Sequence, residues 1–124
     1  VTAISSTPTF WRHALMSIDE DMLTRTQLSS ISMGGEIVDQ GILDRLVALY
    51  PKARIRHIYA SSEVGAAIVV SDGKAGFRAD LLERTDGIIG VKMKEGRLYI
   101  RSPYANRVAK LYQIITLFWA LPVY

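Results

Sequence analysis

The sequence predicts an α/β fold: one βαβ unit of a parallel sheet, followed by a C-terminal β-hairpin. Three observations point to it. "LSSISM" at 28–33 alternates apolar and small polar residues with the period of a strand, and stops at Gly34-Gly35. Segment 40–50 then sets Ile42, Leu43, Leu46, Val47 and Tyr50 at helical spacing, with Asp39 ahead as a cap and Pro51 behind as a stop. "RIRHIYA" at 54–60 is the second strand, with Ile55 and Ile58 facing the covering layers. Strand, helix and strand over this length call for parallel strands and a right-handed crossover. The hairpin is "VKMKEGRLYIRS" at 91–102, which folds back around Glu95-Gly96 with Val91, Met93, Leu98 and Ile100 inward.

The remaining elements follow in order. "TPTFWRHALMS" is a short helix: Thr7 can cap it, Pro8 suits its first position, and Phe10, Trp11, Ala14 and Leu15 recur at helical spacing. "IDEDMLTRTQ" is acidic and polar, a surface connection or a short helical turn. "AAIVV" at 66–70 is a strand ended by Ser71-Asp72-Gly73, and 74–90 is loop-rich, with Gly76 and Asp86-Gly87 as turn signals.

Composition bounds the function. With 124 residues, 49% of them hydrophobic, the chain suffices for one modest domain with a core. The absence of cysteine removes disulfides and thiolate metal sites, and fits a cytoplasmic protein. His13 and His57 are too few and too isolated for zinc. The formal charge of +3 is spread among acidic residues, so no nucleic-acid partner is expected. The start, "VTAISSTPTFW", has neither the charged nor the apolar region of a signal peptide and reads as a chain entered midway. "LYQIITLFWALPVY" at 111–124 is strongly apolar but shorter than the roughly 18–20 residues of a membrane span. It reads as a buried terminal element.

The βαβ topology has a functional consequence. Ligands of open α/β sheets bind outside the C-terminal ends of the strands. Gly34-Gly35-Glu36 and Ser61-Ser62-Glu63 both follow such ends. The glycines could let a flat ligand lie on bare backbone, or could serve a turn that needs a positive φ. The two serines and Glu63 could meet phosphate and Mg²⁺, or form a solvated turn. Tyr59 could stack on a base or end a strand in the core, and Phe10 and Trp11 could wall an apolar pocket or simply pack. No glycine-rich phosphate loop ending in Gly-Lys-Ser or Gly-Lys-Thr occurs, and no Ser-His-Asp set or carboxylate pair stands out.

In this order, "TPTFW", "ISMGGEIVDQGILDRLVALYP", "IRHIYASSEVG", "GFRADLL" and "EGRLYIRSPYAN" resemble consecutive segments of the AMP-forming acyl-CoA synthetase and adenylate-forming ligase superfamily. The resemblance covers 7–106 and implies an internal fragment of the large N-terminal domain, with 107–124 a tail unlike the family. Tyr59-Ala60-Ser61-Ser62-Glu63 is similar to the family's Tyr-Gly-x-Thr-Glu motif. On that match Tyr59 would stack on adenine, Ser62 would contact the α-phosphate and Glu63 would help bind Mg²⁺. Gly34-Gly35-Glu36 resembles the segment whose backbone lines the adenine and acyl pocket. Phe10 and Trp11 resemble the helix start bordering the acyl tunnel, and 96–102 the structural Gly-Glu-Leu hairpin.

Ala60 replaces the usual glycine, Ser62 the commoner threonine, and Arg97 the hairpin's usual glutamate. The family's upstream phosphate loop, its downstream Thr-Gly-Asp motif and its catalytic lysine have no counterpart in 1–124. A truncation or frame change near Asn106 would leave an apolar tail liable to aggregate. The implied reaction joins a small carboxylic acid to AMP from ATP, releases pyrophosphate, and passes the acyl group to CoA or another thiol. Residues 1–124 alone are expected to be inactive. The alternatives are a nucleotide- or acyl-binding module, or a subunit completed by a partner chain. Exposed sheet edges invite self-association.

Overall fold

The computed structural model describes residues 1–61, 65–82, 90–94, 97–101 and 113–115. The chain divides into two units: Val1–Ile58 with Val69–Ala75, and Tyr59–Ile68 with Gly76–Tyr124.

The first unit carries the βαβ core. Strand β1 (Ala3–Ser6) leads through Thr7 into helix α1 (Pro8–Ser17), followed by a short helix α2 (Glu20–Arg25). Strand β2 (Ser30–Gly34), helix α3 (Gln40–Leu49) and strand β3 (Arg54–Ser61) come next, then β4 (Gly65–Val70). The sheet order is β1-β2-β3-β4. The pairs β1–β2 and β2–β3 are parallel, as the βαβ reading requires.

The helix caps are those the sequence signals. Thr7 Oγ1 accepts the Phe10 N–H at 3.2 Å, with Pro8 in the first turn. Asp39 Oδ1 accepts the Ile42 N–H at 3.0 Å, and α3 ends at Tyr50, just before Pro51. The acidic stretch forms the six-residue α2, capped by Asp19. Strand β1 was not among the expected elements. Its four residues are too few to display a period, and its partner is the tertiary neighbour β2.

The register sorts the side chains. Ile31 pairs with Ile55 and Met33 with His57, so these share the helix-covered face. Ile31 and Met33 are fully buried, His57 is buried and Ile55 packs against the core. Ile58 stands half-buried on the opposite face, where Arg56 donates to Ser32 Oγ at 3.2 Å. From α1 and α3 the core receives Trp11, Ala14, Leu15, Ile42, Leu43 and Leu46. Val47, assigned to the apolar stripe, is 47% exposed and lies at its margin.

Tyr50 ties α2 to α3. Its hydroxyl donates to the Leu23 carbonyl at 2.8 Å and lies 3.0 Å from Thr26 Oγ1. Tyr50→Phe should cost about 1 kcal/mol, the net value of one such bond. It should appear as a lower urea midpoint at unchanged m.

The second unit contains a three-stranded sheet in the order β5-β6-β7. Strands β5 (Gly90–Lys94) and β6 (Arg97–Arg101) form the expected antiparallel pair. Val91 lies opposite Ile100, and both are buried. Glu95-Gly96, Asp86-Gly87 and the side chains of Met93 and Leu98 lie outside the described residues. Within the apolar C-terminal segment, read from the sequence as a buried terminal element, strand β7 (Gln113–Ile115) pairs antiparallel with β6. Two adjacent isoleucines suit a strand, and β6 offers them an open ladder. A single 3-10 turn, Ala79–Leu82, precedes β5. Among the described residues no helix is long and apolar enough to cross a membrane.

Candidate functional site

In the first unit the candidate residues cluster where β1 and β2 end. Gly34 closes β2 opposite Ile58. Gly35 adopts φ +81°, a conformation in which a side chain is strained, although a Cβ would meet only Thr7 Cγ2 at 3.9 Å. The turn itself thus demands this glycine.

Glu36 reaches back to α1. Its carboxylate accepts the Thr9 N–H at 3.0 Å and the Thr9 hydroxyl at 2.6 Å. Those two bonds, the hydroxyl's first, hold its pKa below the usual carboxylate range, with help from the Arg12 charge. Asp39 behaves alike. Its carboxyl is lowered by the Ile42 N–H and by Arg12, whose guanidinium lies 3.0 Å away.

Phe10 and Trp11 part company. Phe10 is 47% exposed, whereas Trp11 is 1% exposed and belongs to the core. Trp11 meets Phe10 edge-on at 5.4 Å and Tyr50 at 6.3 Å. Its buried indole N–H has no hydrogen-bond partner among the described residues.

In the second unit Tyr59 lies on β3, half-buried, with its ring edge-on to the fully buried Phe77 at 5.7 Å. Burial pushes its hydroxyl up to about 12, opposed by a hydrogen bond with the Gly76 backbone. Gly76 is buried and sits at φ +87°. Ala60 is exposed and extended within β3, a conformation any residue adopts, so alanine in place of glycine imposes no strain there. Ser61 is the last residue of β3, and Ser62 and Glu63 lie outside the described residues. In "GFRADLL", Arg78 and Asp80 form a bidentate pair, with both contacts at 3.0 Å. Among the described residues no group of three or more His, Cys, Asp or Glu could hold a metal.

Sequence reasoning did not find Thr9, Gln40 or Phe77. Gln40 donates to the Gly73 carbonyl at 2.8 Å and to Asp44 Oδ1 at 2.9 Å, and accepts the Ala75 N–H at 2.9 Å. Only the second threonine of "TPT" carried a local signal, a polar residue in a helix's first turn.

Neither a protein-family model nor a curated protein sequence matches the chain. Solved structures do. The chain is similar to CmiS6 (26% identity, TM-score 0.61), covering 91% of itself and 29% of that chain. It is similar to E. coli MenE with bound OSB-AMS (16%, 0.56), covering 90% of itself and 21% of that chain. It is also similar to an NRPS protein containing adenylation and PCP domains (18%, 0.53), covering 91% and 21%. The described residues therefore have the fold of a segment of these solved chains, one of which contains an adenylation domain, in line with the sequence resemblance. The chain spans between 21% and 29% of the length of these solved chains.

Proposed function

We propose that residues 1–124 are part of an ATP-dependent ligase that adenylates a carboxylic acid and transfers the acyl group to CoA or another thiol. The observation that supports this best is the match of 91% of the chain to the fold of an NRPS protein containing adenylation and PCP domains. In this reading the Tyr59 ring lies against adenine and the backbone at Gly34 and Gly35 borders nucleotide and acyl group. Phe10 offers the exposed ring to the acyl chain, with Trp11 fixed behind it. Ser62 would donate to the α-phosphate. Glu63 would hold Mg²⁺, which supplies neutralisation of phosphate charge when bound.

The chain brings orientation and an adenine wall. A lysine and a phosphate loop, which stabilise the developing charge, have no counterpart in 1–124. These residues alone should therefore release no pyrophosphate from ATP with any of a panel of aliphatic and aryl acids. A burst of pyrophosphate would refute that inactivity. The second reading is a nucleotide- or acyl-binding module, or a subunit completed by a partner chain. Saturable binding of AMP without turnover supports that second reading. No AMP binding at all would remove the nucleotide site from these residues.

A further inference from the structure

Both carboxylates of the loop after β2 are engaged by α1. Glu36 accepts from Thr9 and Asp39 pairs with Arg12, each contact spanning 27 residues. Thr9 and Arg12 lie one turn apart on α1, so the contacts form two rungs at helical spacing. Asp39 also accepts the Ile42 N–H, which joins the lower rung to the start of α3. The donors opening α1 are thereby filled. Pro8 has none, the Thr9 N–H goes to Glu36 and the Phe10 N–H goes to Thr7 Oγ1.

We propose that Glu36 is a positioning residue: with Asp39 it clasps the first turns of α1, and so holds Phe10 and Trp11 in place beside the Gly34-Gly35 turn. Its carboxylate acts through α1 and does not bind nucleotide. The two bonds from Thr9 are charge-assisted, and they complement the positive end of the helix. Exposed ionic contacts add little stability. What the clasp supplies is geometry. The value of that geometry for an acyl group rests on the function proposed above, in which Phe10 borders the substrate with Trp11 fixed behind it.

Amide exchange and NMR of the ¹⁵N-labelled full chain test it, using Glu36→Ala, Glu36→Gln and Thr9→Val. In Glu36→Ala the Thr9 amide should exchange roughly tenfold faster, the size of one charge-assisted bond. The Phe10 ring and Trp11 indole signals should shift, while Ile31 and Leu46 stay in place and report an intact fold. Glu36→Gln keeps an acceptor oxygen and should recover part of the Thr9 protection. Thr9→Val removes the hydroxyl bond and keeps the N–H bond, so it should reproduce part of the ring shifts, and adding Glu36→Ala should bring them to those of Glu36→Ala alone.

AMP titration provides the second readout. Shifts at Tyr59 should saturate at the same AMP concentration in wild type and Glu36→Ala. The inference fails if Glu36→Ala abolishes AMP binding while Thr9 exchange and the two ring signals stay unchanged, for Glu36 would then be a nucleotide ligand. If wild type shows no AMP response, the nucleotide reading fails, and Thr9 exchange with the ring signals still decides the clasp.

Discussion

Replacing Trp11 with alanine should cost about 3–5 kcal/mol, the range for deleting a buried large aromatic. The residue is 1% exposed and contacts Phe10 and Tyr50 by ring edges, so its removal empties the middle of the first unit's core. A loss of that size is comparable to the whole stability of many domains, about 5–15 kcal/mol. Urea unfolding followed by far-ultraviolet circular dichroism reads it directly. The same measurement separates two roles for the side chain. A tryptophan lining an open pocket would lose far less on truncation, so a cost below about 1 kcal/mol would place Trp11 outside the core.

Phe77→Ala should be nearly as damaging, at about 3–5 kcal/mol for a fully buried phenylalanine. It also has a spectroscopic signature. Tyr59 packs edge-on against Phe77, and burial holds its phenol neutral up to about pH 12. A folded pKa above the ordinary value near 10 contributes stability that is complete below that value. The contribution fades as pH rises through about 12. Opening the Phe77 space to water should bring the Tyr59 titration back toward 10. Ultraviolet titration at alkaline pH, with Tyr59→Phe as the subtraction control, would show it. An unchanged Tyr59 curve in Phe77→Ala would mean that other groups bury the phenol.

How much of this was legible in the sequence follows the range of each signal. Caps are local, so Thr7, Pro8 and Asp39 announced α1 and α3 where those helices begin. Periodicity is also local, and the pattern around Leu46 and the alternation through Ile31 and Met33 located the βαβ core. Strand β1 was missed because four residues carry no usable period, and the segment holding β7 read only as a buried terminal element because its pairing with β6 is set by tertiary structure. At Gly35 the positive φ shows why the turn needs a glycine, which the residue type alone did not tell. No local rule joins Glu36 to Thr9, since that pair is created by packing α1 beside the end of β2. The order of five segments, more than any one of them, carried the resemblance to adenylate-forming enzymes.

The amide of Gln40 bridges two backbone groups of the 73–75 loop. It presents an N–H to the Gly73 carbonyl and an oxygen to the Ala75 N–H, which is what a neighbouring peptide group would present. One side chain thus stands in for a missing rung of backbone. Such a stand-in is intolerant of near-synonyms. Asparagine is a methylene too short, and glutamate sets oxygen against oxygen at Gly73. Slow hydrolysis of this amide to the acid would therefore act as a chemical clock on the 73–75 loop, loosening it as the molecule ages with no change in the gene.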